Sequence, residues 1–162
     1  MRLRSAMPAD ELFLRDVYAS TRAEELAPVP WSEAQKRVFT DQQFTAQAAH
    51  YRAHYPGAEY SIIEHGGVAA GRLYVDRWER EIRIMDITLL PVHRGAGIGT
   101  RLLRGLQGEA RAAGQALSIH VEKFNPALRL YERLGFRAIE DKGVYLLMEW
   151  RGGAEGGVRS AE

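Results

Sequence analysis

The feature that most restricts how this chain folds is a glycine-rich stretch between an apolar strand and an amphipathic helix. The stretch is HRGAGIGTRLL, residues 93–103, with glycines at positions 95, 97 and 99. Glycine costs conformational entropy on folding, so such a run is expected where backbone turns tightly or approaches another group closely. The free N–H groups at the start of the following helix favour an anion. The sequence therefore predicts a phosphate-binding turn between a strand and a helix.

The elements on either side of this turn predict an α/β fold. Alternating residues indicate strands, and apolar residues at helical spacing indicate helices. We expect a mixed central sheet of about six to seven strands flanked by about four helices, in one domain over residues 1–150. The Gly-rich segment 151–162 is predicted to be a disordered tail. The predicted order is strand 2–6, helices 10–24 and 33–54, strands 59–65, 68–78 and 81–90, helix 100–113, strand 116–122, helix 125–134, and strands 136–140 and 143–150.

Two further details of the helices are predicted. Ser32 is expected to cap the second helix, because a serine before a helix accepts a hydrogen bond from its first turn. The residues expected to face the sheet are Leu12, Phe13, Val17 and Tyr18 in the first helix and Val38, Phe44, Ala48 and Tyr51 in the second.

Composition removes several classes of function. Lys and Arg total 22 against 21 Asp and Glu, so the net charge of +1 gives no footprint for nucleic acid. The chain has no cysteine, which excludes a disulfide framework, a thiolate nucleophile and a cysteine zinc site. No apolar run approaches the roughly 18 residues of a membrane span. We expect a cytoplasmic protein with neither nucleic acid nor membrane as a partner.

Two familiar phosphate loops do not fit the glycine spacing. A Walker A loop needs Gly-Lys-Ser/Thr five residues after its first glycine, but Gly95 leads to Thr100-Arg101-Leu102. The dinucleotide-binding fingerprint needs a third glycine where Thr100 stands, although Glu122 mimics its acidic ribose ligand. The antiparallel strands expected before the loop also disfavour a Rossmann unit.

Two motifs resemble those of the GCN5-related N-acetyltransferases (GNAT). The segment Arg94-x-x-Gly97-x-Gly99 resembles the family's pyrophosphate loop, within DITLLPVHRGAGIGTRLL, residues 86–103. The segment NPALRLYERLGF, residues 125–136, resembles its second signature. Either motif alone is also explained as a tight loop or a capped helix, but that explanation does not cover both together.

The resemblance implies an acetyl-CoA-dependent acyltransferase that moves an acetyl group directly to a primary amine. The residues it assigns to coenzyme binding lie at the strand end, in the loop and around the second motif: Ile87, Leu89, Leu90, Arg94, Gly95, Ala96, Gly97, Ile98, Gly99, Thr100, Asn125 and Tyr131. Leu89 and Leu90 are the expected carbonyl and N–H partners of the pantetheine arm, and an N–H near residues 87–89 is expected to steady the oxyanion.

The resemblance gives Tyr131 the role of general acid toward the departing thiolate. Asp86 is the first candidate for the base, because an acid within the apolar run IRIMDITLL is costly to bury without purpose. Glu81, Glu122 or a water relay are alternatives, and Asp86 on a solvent face is an equal possibility. Among these residues Tyr131 is also explained as a half-buried core tyrosine.

The acceptor side is expected to involve Trp31 and Glu122, with Phe44, Tyr51 and Tyr55 more typical of a core. His50 and His54 have the spacing of zinc ligands, but no third ligand is evident, so no metal is expected. The acceptor is a small-molecule or peptide amine of unidentified structure. A homodimer through the strand pair ending in GVYLLMEW, a non-catalytic acyl-CoA sensor, and an enzyme with another acyl donor or acceptor remain open.

Overall fold

The computed structural model describes residues 1–152, and its α/β fold agrees with the predicted one. The four helices are α1 (Glu11–Leu26), α2 (Glu33–His54), α3 (Ile98–Ala113) and α4 (Leu128–Arg133). The strands are β1 (Arg2–Ser5), β2 (Glu59–His65), β3 (Val68–Arg77), β4 (Glu81–Leu89), β5 (Ala116–Glu122), β6 (Arg137–Asp141) and β7 (Tyr145–Arg151). They form one mixed sheet in the order β1-β2-β3-β4-β5-β7-β6. No helix within residues 1–152 has the length and apolar character of a membrane span.

The chain divides into two compact units, with boundaries inside β3 and β4. Unit 1 comprises Met1–Tyr74 and Ile87–Ala96, and unit 2 comprises Val75–Asp86 and the chain from Gly97 onward. Arg151, the first residue of the predicted tail, belongs to β7. Residues 153–162 of the predicted tail lie outside the described residues.

In unit 1, α1 packs against α2 through their buried faces. The rings of Tyr18 and Phe44 meet edge to face at 6.3 Å between centroids. The predicted start of α2 is confirmed, because the Gln35 N–H donates to Ser32 Oγ at 3.1 Å. The Ser32 N–H donates to the Gln35 side chain at 2.8 Å, which completes a capping box.

Two residues predicted to face inward are exposed. Leu12 is 75% exposed and Val38 is 58% exposed, so both predictions are wrong. The buried positions nearby are Leu14 and Thr40, each two residues further along. Residues two positions apart in an α-helix are separated by about 200° around the axis. Leu12 and Val38 therefore lie on the side of their helices opposite to Leu14 and Thr40.

In unit 2, α3 buries one apolar stripe and ends at Gly114. Ile98, Leu102, Leu103, Leu106 and Ala110 are buried at helical spacing, as predicted for the last four. Gly114 has φ 67°, the left-handed conformation that commonly ends a helix at glycine.

The parallel pairing of β4 with β5 covers only the first part of each strand. It runs from Glu81 opposite Ala116 to Ile84 opposite Ile119, while β4 continues to Leu89 and β5 to Glu122. By contrast, β5 pairs with β7 over its whole length, from Ala116 to Glu122.

The last helix, α4, is shorter than the predicted 125–134. The side-chain oxygen of Asn125 accepts a hydrogen bond from the Ala127 N–H at 2.8 Å. This capping contact therefore closes a turn over residues 125–127, and Ala127 holds the N-cap position of the helix itself.

Candidate active site

The glycine stretch forms an exposed turn that leads directly into α3. Gly95 has φ 82° and Gly97 has φ 80°, in a left-handed backbone region that residues other than glycine rarely adopt. Gly97 is the N-cap of α3, and the Arg101 N–H donates to the Gly97 carbonyl at 3.0 Å. In an α-helix the N–H groups of the residues before the first such bond have no acceptor within the helix. The N–H groups of residues 98–100 therefore form the positive end of the helix.

The end of β4, in unit 1, has its backbone polar groups partly engaged. The Leu90 N–H donates to the Ala70 carbonyl at 2.9 Å, so this N–H is engaged within the chain. The expected role of Leu90 as an N–H partner of a ligand stays a prediction. The Leu89 carbonyl accepts a hydrogen bond from Arg94 Nε at 3.0 Å. Gly71 lets β3 come close here, because a Cβ on Gly71 would overlap the Thr88 carbonyl oxygen.

Tyr131 lies on α4 and is buried, with 4% of its surface exposed. Its backbone carbonyl accepts hydrogen bonds from the N–H groups of Leu134 and Phe136, and its ring meets that of Phe136 edge to face at 5.7 Å. Burial, and to a lesser degree the charge of Asp86, raises the pKa of the Tyr131 hydroxyl well above 10. The hydroxyl therefore keeps its proton at neutral pH.

The two acids of β4 considered as bases, Asp86 and Glu81, have different surroundings. Side chains alternate along a strand, so residues an odd number apart face opposite sides of the sheet. Glu81 accepts a hydrogen bond from Arg83 Nη2 at 3.0 Å. Asp86 is half-buried and lies near enough to Tyr131 to influence its pKa. Of these two acids, Asp86 is the one whose charge acts on the Tyr131 hydroxyl.

A strand, a turn with two left-handed glycines, a helix start and a buried tyrosine follow one another along residues 81–131. The profile of the Acetyltransferase (GNAT) family matches residues 16–136. The chain belongs to this family. A curated relative, streptothricin acetyltransferase of Streptomyces lavendulae, is 41% identical over 61 residues. That match covers 36% of this GNAT chain and 32% of the relative, so the chain spans about a third of the relative's length.

Solved structures share the GNAT fold along nearly the whole chain. The PaiA N-acetyltransferase of Thermoplasma acidophilum, in complex with coenzyme A, has a TM-score of 0.70 at 15% identity and covers 93% of this chain and 98% of that one. YncA of Salmonella typhimurium, a putative acetyltransferase with acetyl-CoA, has a TM-score of 0.59 at 24% identity and covers 100% of this chain and 99% of that one. At these identities the likeness establishes the fold.

The other predicted site residues of this GNAT protein fall in different places. Glu122 ends β5 and is half-buried, in unit 2 with Asn125. Trp31 is in unit 1, where its partly exposed ring meets that of Phe39 edge to face at 5.4 Å. Phe44 is a buried core residue, as expected.

The tyrosines and histidines at the end of α2 form an aromatic group in unit 1. Tyr51 meets the ring of Tyr55 edge to face at 6.1 Å, and the rings of His50 and His54 stack at 4.2 Å. Within residues 1–152, no three His, Cys, Asp or Glu side chains are grouped as metal ligands. The expectation that no metal is used stays a prediction.

Sequence reasoning missed a polar network on β4 and β5 of unit 2. Arg83 Nε donates to Ser118 Oγ at 2.8 Å, and its Nη1 lies 3.3 Å from His120 Nδ1. Ser118 also donates to Glu81. The available signal was the alternation of Ser118 and His120 with apolar residues in ALSIHVE, which puts both on one strand face.

Proposed function

We propose that this GNAT protein transfers the acetyl group of acetyl-CoA directly to the nitrogen of a primary amine. The observation that carries the proposal is the turn at residues 94–100, where left-handed glycines lead into an open helix start. Its support is chemical, because backbone N–H groups and the helix dipole suit a pyrophosphate. PaiA holds coenzyme A and YncA holds acetyl-CoA on the same fold.

The residues of the turn fit the coenzyme. The N–H groups of Ile98, Gly99 and Thr100 would hold the pyrophosphate, with Gly95, Ala96 and Gly97 giving the backbone room to approach. Arg94, at the start of the turn, is exposed and would add positive charge. The Leu89 carbonyl, with the backbone at Ile87, would meet the peptide-like pantetheine arm as an added strand does. Asn125 belongs to this coenzyme set by resemblance only.

Tyr131 and Asp86 would handle the two protons of the reaction. When bound, acetyl-CoA supplies an activated acyl group, and the overall change makes an amide and a free thiol. The Tyr131 hydroxyl holds a proton at neutral pH and would give it to the departing sulfur. Asp86, directly or through water, would take the proton that the amine loses. Afterwards Tyr131 would recover a proton from solvent and Asp86 would release its proton to solvent, so both side chains return to their starting state.

The acceptor is the open part of this proposal. The only chemical lead from the curated relative is its name, which gives streptothricin as the substrate of that protein. Trp31 and Glu122 are proposed contacts of the amine. A cytoplasmic location and a homodimer through β6 and β7 remain predictions.

The test is to incubate the protein with acetyl-CoA and a panel of amines and to follow free thiol. The panel contains streptothricin, polyamines, amino acids and short peptides, and each product is checked by mass spectrometry for one added acetyl group. We expect thiol release that depends on the amine. Tight coenzyme binding in calorimetry without thiol release from any acceptor would replace the proposal with an acyl-CoA sensor. Turnover that occurs only with a longer acyl-CoA would show that the donor is that acyl-CoA and not acetyl-CoA.

A further inference from the structure

His120 stands on β5 at the residue directly after the last pair with β4. The parallel register ends with Ile84 opposite Ile119. Alternation places His120 and Glu122 on one face of β5, while the buried apolar residues 117, 119 and 121 take the other face. His120 therefore lies where β5 has no ladder partner in β4, and it is half-buried rather than packed into the core.

The neighbour of His120 on β4, Arg83, is held in a fixed position. Its side chain is only 11% exposed, and the guanidinium stacks over the Trp78 ring at 4.8 Å. Arg83 Nε donates to Ser118 Oγ at 2.8 Å, and Nη2 donates to Glu81 Oε2 at 3.0 Å. Three different contacts therefore fix the guanidinium.

This fixed arginine determines which nitrogen of His120 carries the proton. Arg83 Nη1 lies 3.3 Å from His120 Nδ1, and a guanidinium can only donate, so Nδ1 accepts. Burial lowers the pKa of His120 below 6.5, the charges of Arg83 and Lys142 act in the same direction, and Glu140 and Glu81 oppose them. A neutral ring that accepts at Nδ1 carries its hydrogen on Nε2. Within residues 1–152, this Nε2–H has no hydrogen-bond partner.

Asp86 and His120 both lie just past the last pair of β4 with β5, and alternation puts them on opposite faces, so an acceptor that meets His120 would reach the reacting centre between the two strands. We propose that the Nε2–H of His120 binds an oxygen atom of the acceptor, which makes His120 a specificity residue. This inference rests on the proposed acetyltransferase function. The Glu122 carboxylate, on the same face two residues later, suits the ammonium of the same molecule. An oriented donor beside a carboxylate matches an amine that carries a carbonyl or carboxylate oxygen, as in an amino acid. A polyamine has no such oxygen.

L-lysine and cadaverine provide the matched pair of probes, because they differ only by the carboxylate. Two variants separate the two roles of the His120 ring. His120→Gln keeps a hydrogen-bond donor near the position of Nε2. His120→Asn keeps a polar partner for Arg83 but has no donor at the position of Nε2. We expect the wild type to favour lysine over cadaverine by about tenfold in kcat/KM, the value of roughly one hydrogen bond. His120→Asn should lose this preference and His120→Gln should retain most of it. The KM for acetyl-CoA should be unchanged in both.

Two measurements do not require turnover. The ¹⁵N shifts of the His120 ring at pH 7 should show the Nε2–H tautomer, and a charged ring or an Nδ1–H tautomer would overturn the inference. Calorimetry on coenzyme-loaded protein should show the same lysine preference in binding. Equal binding of both amines, binding of neither, or a preference that survives in His120→Asn would also overturn it. Thiol release with any other amine would leave the acetyltransferase proposal standing in each of those cases.

Discussion

At Gly97 the effects of backbone strain and of a blocking charge can be separated. The residue has φ 80°, and within residues 1–152 no atom beyond Gly97 and its two chain neighbours lies within 4 Å of the place where a Cβ would stand. The free chain therefore has room for a side chain, which would project into the space assigned to the pyrophosphate. Asparagine tolerates the left-handed region better than most residues and matches aspartate in size.

We predict that Gly97→Asp abolishes coenzyme A binding, because it adds both a side chain and a negative charge beside the pyrophosphate site. Gly97→Asn should bind more weakly than the wild type but detectably, since it adds the side chain alone. Calorimetry measures both affinities, and circular dichroism checks the fold. Wild-type affinity in Gly97→Asp would refute the assignment of the loop.

We predict that Tyr131→Phe lowers kcat by a factor of about 10² to 10⁴, the usual contribution of a general acid, with little change in coenzyme affinity. The ring contact with Phe136 is kept in this variant, so stability should change little. Steady-state thiol release and calorimetry measure the two quantities. An unchanged kcat would make Tyr131 a core residue only.

At the scale of elements, local signals were sufficient for most boundaries. The Ser32 cap acts on neighbouring residues, and β2, β5 and the start of α2 were predicted to the residue. The inward faces were predicted less well, because Leu12 and Val38 are apolar but tertiary packing selects a different stripe. The turn before α4 was missed since capping by Asn125 is compatible with either boundary.

In the candidate site, too, features set by neighbouring residues could be predicted and features set by tertiary contacts could not. The glycine turn and Tyr131 belong to contiguous motifs, so the sequence could indicate them. The network of Arg83, Ser118 and His120 joins residues 35 and 37 positions apart, and it depends on the register between β4 and β5. No local pattern contains that register, so this network could be found only from the structure.

The close approach of β3 to β4 in unit 1 leads to a prediction for Gly71. A Cβ there would overlap the Thr88 carbonyl oxygen and lie 2.9 Å from Leu89 Cα. Gly71→Ala should therefore lower the free energy of unfolding by about 1–3 kcal/mol and weaken coenzyme binding, because the backbone at Leu89 must shift. Urea denaturation and calorimetry measure the two effects.

Gly105→Ala in the middle of α3 is the matched control. In the described part of the chain, no atom outside the local helix backbone lies within 4 Å of its Cβ position. Alanine favours a helix over glycine by about 0.5–1 kcal/mol. This substitution should raise stability and leave coenzyme binding unchanged. A Gly71→Ala variant as stable as the wild type would contradict this prediction, because it would show that the β4 backbone shifts without a loss of stability.

For the molecule as a whole, the carboxyl groups of Asp10, Glu109 and Asp141 all have pKa values below the usual range. Hydrogen bonds from Arg4 and then from the Met7 N–H lower the pKa of Asp10 to about 2. Arg77 lowers the pKa of Glu109, and Lys123 lowers that of Asp141. The unfolded chain binds protons at higher pH than these folded carboxyls do. Their contribution to stability is therefore complete above the unfolded pKa of about 4 and is lost as the pH falls toward 2.

We predict that the free energy of unfolding falls between pH 5 and about pH 2 and that Asp10→Asn makes this fall smaller. The side chain of Asp10 is 13% exposed, so solvent screens its pair with Arg4 less than a surface pair. Asp141→Asn is the control, because 61% exposure leaves its pair with Lys123 largely screened. Urea denaturation across the pH series gives the slopes. An Asp10→Asn curve parallel to the wild type would contradict the assignment.

The hydrogen bond from Arg94 to the Leu89 carbonyl gives coenzyme binding a kinetic consequence. In the free chain the guanidinium occupies the carbonyl that the pantetheine arm would use, at 3.0 Å from Nε. Association at the proposed site then has two stages, docking of the phosphates followed by exchange of the guanidinium for the arm. We expect the released guanidinium to pair with a phosphate, and this ion pair would offset the hydrogen bond that is lost. In stopped-flow measurements the observed rate should level off as coenzyme concentration rises, and Arg94→Ala should remove the plateau.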